Sequence, residues 1–333
     1  MIIAGDIGGT KTNVALFEAS GGGVGAPLAL DSFPSARYDS LEDILREFVR
    51  RQPQARITHA CFGVAGPVVR GHIDATNLAW KVHDVKLAEA IGVPAVRLIN
   101  DLEATAYGIG ELGPEQLYTL NEGEADRTGH RALIAAGTGL GMAAVYFDGT
   151  NAYHPMPSEG GHIDFSPRNE REFEMMTYLR EQIGGRVSYE RVLSGMGIHN
   201  IYSFLRDRGH GEEPAWLAEE IRTGDASAAI SRAALAGRSE LAATALEIFV
   251  EVYGAMAGNL ALLLKAIGGL YIGGGIAPKI MPKLTDGTFM RNYSDKGRMA
   301  GLVNSIPVHV ILDDKAALYG AARAALMGGG EAL

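Results

Sequence analysis

The chain has 333 residues, a formal net charge of −9 and a 47% hydrophobic composition. That length predicts two domains or one large one, and the acidic balance without a basic cluster argues against a nucleic-acid surface. The single cysteine, Cys61, rules out an internal disulfide and any zinc site built on three or four thiolates; it lies in the apolar run His59–Val64 and reads as a buried thiol.

In chain order, strands are expected at Ile2–Ile7, Asn13–Phe17 and Pro27–Phe33. A helix follows over Leu41–Arg50 with Ser40 as its N-cap, then a strand over Ile57–Val64 and a small hairpin over Pro67–Ile73 turning at Arg70-Gly71. Val85–Ile91 reads as helix, Val96–Asn100 as strand and Leu102–Gly110 as helix, which together suggest a mixed sheet with helices on its faces. Asn121–Arg131 is polar and is expected to be a loop. Ala132–Ala136 and Met142–Phe147 then read as strands around a glycine turn, Gly137–Gly141. The region from about Glu170 to Lys265 is mainly helical. Gly268–Ile276 is a strand running into the triple glycine Gly273-Gly274-Gly275, Val308–Leu312 is a last strand and Lys315–Met327 a last helix, with a frayed end beyond it. Because the first sheet is short of cover, that last helix is expected to return to it. The longest apolar stretch, Ile248–Leu264, contains Glu251 and Asn259, so no membrane span is expected; the opening strand argues against a signal peptide, and a reducing cytoplasm fits.

Two strand–glycine-turn–strand units suggest a duplicated core with a nucleotide between its halves. The first contains the run Gly5-Asp6-Ile7-Gly8-Gly9-Thr10-Lys11-Thr12. Gly8 and Gly9 let backbone N–H groups approach an anion, Thr10 and Thr12 add hydroxyl donors, and Lys11 adds charge. Asp6 is a hard oxygen ligand where a Mg²⁺ on phosphates would sit. An ordinary tight turn, with Lys11 merely solvating it, is the plainer reading of the same residues. The run is not a Walker A loop, because Thr10 replaces the second glycine and a strand follows in place of a helix. Nor is Gly137-Thr138-Gly139-Leu140-Gly141 a dinucleotide fingerprint, since its spacing is GxGxG and it too feeds a strand.

The three glycine turns, in this order and separation, resemble those of the sugar kinase, heat-shock protein and actin superfamily. Thr76-Asn77-Leu78-Ala79-Trp80, Leu98-Ile99-Asn100-Asp101, Ser158-Glu159-Gly160-Gly161-His162-Ile163-Asp164-Phe165 and Ser188-Tyr189-Glu190-Arg191-Val192-Leu193-Ser194-Gly195 narrow the resemblance to the bacterial glucokinase family over essentially the whole chain. The related repressor and kinase group carries a cysteine-rich zinc motif after its Glu-Gly-Gly-His. Here the lone cysteine lies upstream, which points to the zinc-free branch. The resemblance implies an α/β fold of actin-like, ribonuclease H-like type, two-lobed, with mixed sheets flanked by helices and a cleft between the lobes. The expected domains are 1–109 plus 315–333 (small) and 110–314 (large). It further implies phosphorylation of glucose at its 6-hydroxyl by ATP with Mg²⁺, a place in glycolysis and a cytoplasmic homodimer. The first two turns (Gly8, Gly9 and Thr10; Gly137, Thr138 and Gly139) would hold phosphates and the third (Gly273, Gly274 and Gly275) adenosine.

Phosphoryl transfer to a sugar needs an aligned alcohol and a base for its proton. Asp101 is the candidate base, held at a strand end where a helix begins, and Asn100 offers a donor and an acceptor to a sugar hydroxyl. Either residue could instead simply cap that helix. Selecting one hexose from its epimer needs fixed, buried acceptors. Glu159, His162 and Glu190 suit that need, and the resemblance places all three on the sugar. Alternatively, His162 only orients a carboxylate and Glu190 pairs with Arg191. Asn77 is a weaker sugar candidate; Trp80 could stack on a sugar face or pack in a core. The rival functions are a kinase for another hexose or amino-sugar and a non-catalytic sugar sensor. The lobes are expected to close on sugar, around Asp101 and the crossing near Asp314-Lys315.

Overall fold

The computed structural model describes residues 1–18, 23–66, 68–69, 71–74, 80–150 and 152–327. Backbone contacts divide the chain into two units, Met1–Gln116 with Tyr153–Pro157 and Asp313–Leu333, and Leu117–Ala152 with Ser158–Leu312.

The first unit holds a five-stranded sheet. Its strands are β1 (Ile2–Ile7), β2 (Lys11–Phe17), β3 (Ala29–Pro34), β4 (His59–Val64) and β7 (Arg97–Asn100), in the order β3-β2-β1-β4-β7. β1 and β2 form an antiparallel hairpin, while β4 and β7 run parallel to β1. The period of two sends successive residues to opposite faces. Ile3, Ile7, Val14 and Leu16 pack toward α1 (Leu41–Arg50) and α2 (Asp84–Ile91), which bury Ile44, Leu45, Phe48 and Leu87 there. Ile2, Ala4, Ala15 and Phe17 face the other way, onto Ala104 of α3 (Asp101–Gly108) and Leu318, Ala321 and Ala325 of α12 (Ala316–Met327). The last helix thus supplies the cover that the first sheet lacks locally. α3 and α12 touch backbone to backbone: a Cβ on Gly320 would lie 1.7 Å from the Ala104 carbonyl oxygen, and one on Gly108 2.0 Å from that of Ala316. The hairpin expected over Pro67–Ile73 is different in the structure. Val69 and His72 share only a single bridge, and β5 (His72–Asp74) instead pairs with β6 (Lys81–His83). Pro67 and Arg70 lie outside the described residues.

The second unit repeats the plan. β9 (Arg131–Ala136) and β10 (Leu140–Phe147) form an antiparallel hairpin, β12 (Leu270–Gly273) runs parallel to β9, and β13 (Val308–Ile311) parallel to β12. β8 (Leu117–Asn121) closes the edge antiparallel to β13. β11 (Tyr153–Ser158) groups with the first unit except for Ser158. The helical region is α4 (Glu170–Ile183), α5 (Gly195–Asp207), α6 (Ala215–Thr223), α7 (Ala226–Leu235) and α8 (Glu240–Leu264). It is followed by the short α9 (Met281–Leu284), α10 (Thr288–Ser294) and α11 (Ala300–Ser305). Side-chain caps start several of these helices, Asn169, Ser194, Asp225 and Ser239 each accepting a backbone N–H. By length and composition alone α8 could cross a bilayer. Its apolar residues, Phe249, Val252, Tyr253 and Met256 among them, are spent on the unit's core. Gly254 and Gly258 let it meet α10 closely, since a Cβ at either would lie within 2.2–2.4 Å of the Phe289 or Tyr293 carbonyl oxygen.

Candidate active site

In the first unit the candidate residues gather at the carboxyl ends of β1, β4 and β7. Asp6 follows Ile2 and Ala4 on the face of β1 covered by α3 and α12, opposite Asn13 and Gly63 in the ladders. Val64 pairs with Asn100, the last residue of β7, and Asp101 is the first of α3. Asn100 caps α3: its Oδ1 accepts the Leu102 N–H at 2.8 Å, and its Nδ2 donates to the Gly66 carbonyl at 3.0 Å. Asp101 Oδ1 accepts the same N–H at 2.9 Å. Capping is therefore a role that both residues hold, and it fixes the side chains that would meet a ligand. Burial pushes the Asp6 carboxyl from an ordinary 3.8 up to about 6; the Asp101 charge adds to the rise and Asp314 adds less, while the Asn13 hydrogen bond and Lys11 pull against it.

The turn after β1 is held from β3. The Gly8 N–H donates to the Lys11 carbonyl at 3.0 Å, and the Ser35 N–H donates to the Thr10 carbonyl at 3.1 Å. The buried Ser35 hydroxyl donates to the Gly8 carbonyl at 2.8 Å and lies 2.9 Å from the Thr12 hydroxyl. Lys11 and Thr12 belong to β2, which starts two residues earlier than the sequence suggests, and Thr12 is fully buried as a brace of the turn. Lys11 Nζ sits 3.6 Å from Asp314 Oδ2, both side chains being exposed. Gly5 is dictated by packing, since a Cβ would lie 2.6 Å from the Phe62 ring, and Ile7 is core. Ser35 escaped the sequence reading because its only signal is position, one residue past a strand. Trp80 is buried and donates from Nε1 to the Tyr38 carbonyl at 3.2 Å, so it packs the core; Asn77 lies outside the described residues.

The second unit brings Glu159, His162 and Glu190 together. His162 stands between the two acids, its Nε2 3.9 Å from Glu159 Oε2 and its Nδ1 4.0 Å from Glu190 Oε1. Their segments are tied to each other by the Asp164–Ser188 bridge and by bonds from Tyr189 N–H to Ile163 O and Phe165 N–H to Val187 O. Glu190 Oε2 accepts the Leu140 N–H at 3.0 Å. It does not pair with Arg191, whose side chain reaches Met196. The second and third glycine turns are neighbours. Gly274 has φ +84°, a Cβ on it would lie 2.2 Å from the Ala136 carbonyl oxygen, and the Ile276 N–H donates to that oxygen. Gly273 faces Leu133, whereas Gly275 opens onto free space. Gly137 donates to the Gly139 carbonyl across Thr138.

Each unit thus places a hairpin turn and carboxylates at the ends of a duplicated mixed sheet, the architecture of the actin-like sugar kinases. Comparison with known proteins narrows the class. The family model described as Glucokinase matches residues 3–327. A glucokinase from a Nostoc species is 43% identical over 97% of this chain and 98% of its own. One from Chromohalobacter salexigens is 36% identical over 97% and 96%. Among solved structures, a glucokinase from an Antarctic psychrotroph superposes with a TM-score of 0.85 at 30% identity, covering 97% of this chain and 98% of its own. A ROK family glucokinase from Streptomyces griseus, in complex with glucose and AMPPNP, shares the fold at a TM-score of 0.63 and 21% identity, with 98% and 99% covered. The chain belongs to the glucokinase family, enzymes that phosphorylate glucose.

Proposed function

We propose that the donor is ATP with Mg²⁺, that the acceptor is the glucose 6-hydroxyl, and that Asp101 is the base. The placement of Asp101 carries the reading. Its carboxylate is fixed at a strand–helix junction by the Leu102 N–H, and a second acid, Asp6, is unsettled by burial and by the Asp101 charge. In this reading an Asp101 carboxylate oxygen takes the proton of the attacking hydroxyl as the O–P bond forms. Glu159 and Glu190 accept sugar hydroxyls and orient the ring, and Asn100 holds the Asp101 backbone in place. The turns Gly8–Thr10 and Gly137–Gly139 present backbone N–H groups to phosphates, with Gly273–Gly275 beside the second. The division into 1–109 plus 315–333 and 110–314 stays with this proposal.

Mg²⁺ suits Asp6 chemically: a carboxylate that burial and neighbouring acids hold partly protonated is stabilised by a divalent cation. No group of three or more His, Cys, Asp or Glu with metal-binding geometry exists among the described residues, so Asp6 would hold the ion with phosphate and water completing its shell. The ion would neutralise charge on the transferring phosphoryl group. ATP as donor is supported by the AMPPNP held in the Streptomyces relative.

The test is Asp101→Asn. It keeps the size and the Leu102 acceptor but removes the proton acceptor. kcat should fall by roughly 10²–10⁴-fold while the glucose Kd, measured by calorimetry, changes little. Near-normal kcat would leave Asp101 as a helix cap alone.

A further inference from the structure

One segment, Tyr189–Gly195, meets both the sugar-side cluster and the second glycine turn. Glu190 faces His162 with Oε1 at 4.0 Å and accepts the Leu140 N–H with Oε2 at 3.0 Å. Five residues on, the Gly195 N–H donates to the Gly137 carbonyl at 2.8 Å, at the other end of the same turn. The buried Ser194 closes the bracket: its hydroxyl donates to the Glu190 carbonyl at 2.7 Å and accepts the Gly197 N–H at 3.1 Å. The Glu159–His162 loop rests on the same strand start, because a Cβ on Gly161 would lie 2.0 Å from the Leu140 carbonyl oxygen. A side chain at Gly139 would displace the Glu190 carboxylate, since a Cβ there would lie 2.5 Å from Glu190 Oε2.

We propose that Glu190 is also the positioning residue of the Gly137–Leu140 turn, so that sugar and nucleotide strengthen each other's binding through its carboxylate. This rests on the reading that Glu190 meets sugar and that Gly137–Gly139 meets phosphates. One oxygen of the carboxylate is committed to the turn, so a sugar that orders the other oxygen also orders the turn. By linkage, a nucleotide that orders the turn returns the same factor to the sugar. A coupling of about fivefold or more is expected.

The experiment is calorimetry on the full chain with one ligand at a time, using glucose and adenylyl imidodiphosphate. Gly139→Ala pushes the Glu190 carboxylate aside without altering any sugar-side residue. Its glucose Kd, with no nucleotide present, should rise about tenfold, and the coupling factor should fall toward one. Conversely, Glu190→Ala leaves the Leu140 N–H unpaired and should weaken the nucleotide several-fold with no sugar present. Melting temperatures near that of wild type exclude general loosening as the cause. If Gly139→Ala does not fold, the nucleotide titration of Glu190→Ala decides alone. Glucose affinity in folded Gly139→Ala within about twofold of wild type, or unchanged nucleotide affinity in Glu190→Ala, overturns the proposal and leaves the functional reading intact. A wild-type chain that binds no glucose overturns both.

Discussion

The two hairpin turns differ in where their carboxylate comes from. In β1–β2 the last ladder pairs are Asp6–Asn13 and Ile7–Thr12, so an acid is built into the strand itself. The corresponding pairs of β9–β10 are Ala135–Gly141 and Ala136–Leu140, and there the carboxylate arrives from Glu190, fifty residues beyond Leu140 in the chain. The first turn is braced by Ser35, just past the neighbouring strand β3 of the same sheet. The second is braced at both ends by a bracket that also faces Glu159 and His162. One architecture therefore yields a self-contained, charge-strained turn and a turn whose geometry is held by a remote segment.

Substitutions that break one turn and spare the other sharpen this contrast. Gly274→Ala should have the largest effect. It places a Cβ against the Ala136 carbonyl in a left-handed backbone, which should destabilise the fold by about 3 kcal/mol or more in urea unfolding. A neutral outcome would mean that the β9 and β12 turns are not locked together.

Asp6→Asn should act in the opposite direction. Because the folded-state pKa of Asp6 is raised to about 6, the folded chain keeps a proton that the unfolded chain has lost between about pH 4 and 6. Stability from this group is present at low pH and lost as pH rises through that window. The variant should match wild type below pH 4 and exceed it by about 2–3 kcal/mol above pH 6. Activity should collapse at the same time. Equal stabilities at neutral pH would show that Asp6 is not strained.

Ser35→Ala is the smallest of the three. It leaves the Gly8 carbonyl and the Thr12 hydroxyl without their partner, at about 1–2 kcal/mol. KM for nucleotide should rise while the glucose Kd stays constant. A change in glucose affinity instead would contradict a role confined to the first turn.

What the sequence showed and what it hid divide along the same line. β1, the glycine turns, the helix start at Ser40, and the acids at Asp6 and Asp101 are local signals: period-two apolarity, glycine runs and a capping residue. The strands β8 and β11 were missed because their residues are mostly half-buried or exposed, without an apolar alternation to mark them. The short helices α9–α11 are too brief to show a 3.6-residue period. The Glu190–Leu140 bond and the Ser35 brace join residues distant in sequence, and no spacing rule encodes either. Asn100 holds the helix cap that was one of its two readings, and a cap does not exclude the other.

The glycine contact between α3 and α12 bears on how the chain is made. The face formed by Ile2, Ala4, Ala15 and Phe17 lacks the α12 half of its cover until residues 316–327 leave the ribosome. At about 5–20 residues per second, the intervening chain takes on the order of ten seconds or more to synthesise. The second unit, Leu117–Ala152 and Ser158–Leu312, lies wholly within that interval and has all its strands before α12 appears. The unit begun first is thus the last that can be completed, and its apolar sheet face is the surface most in need of a chaperone during translation.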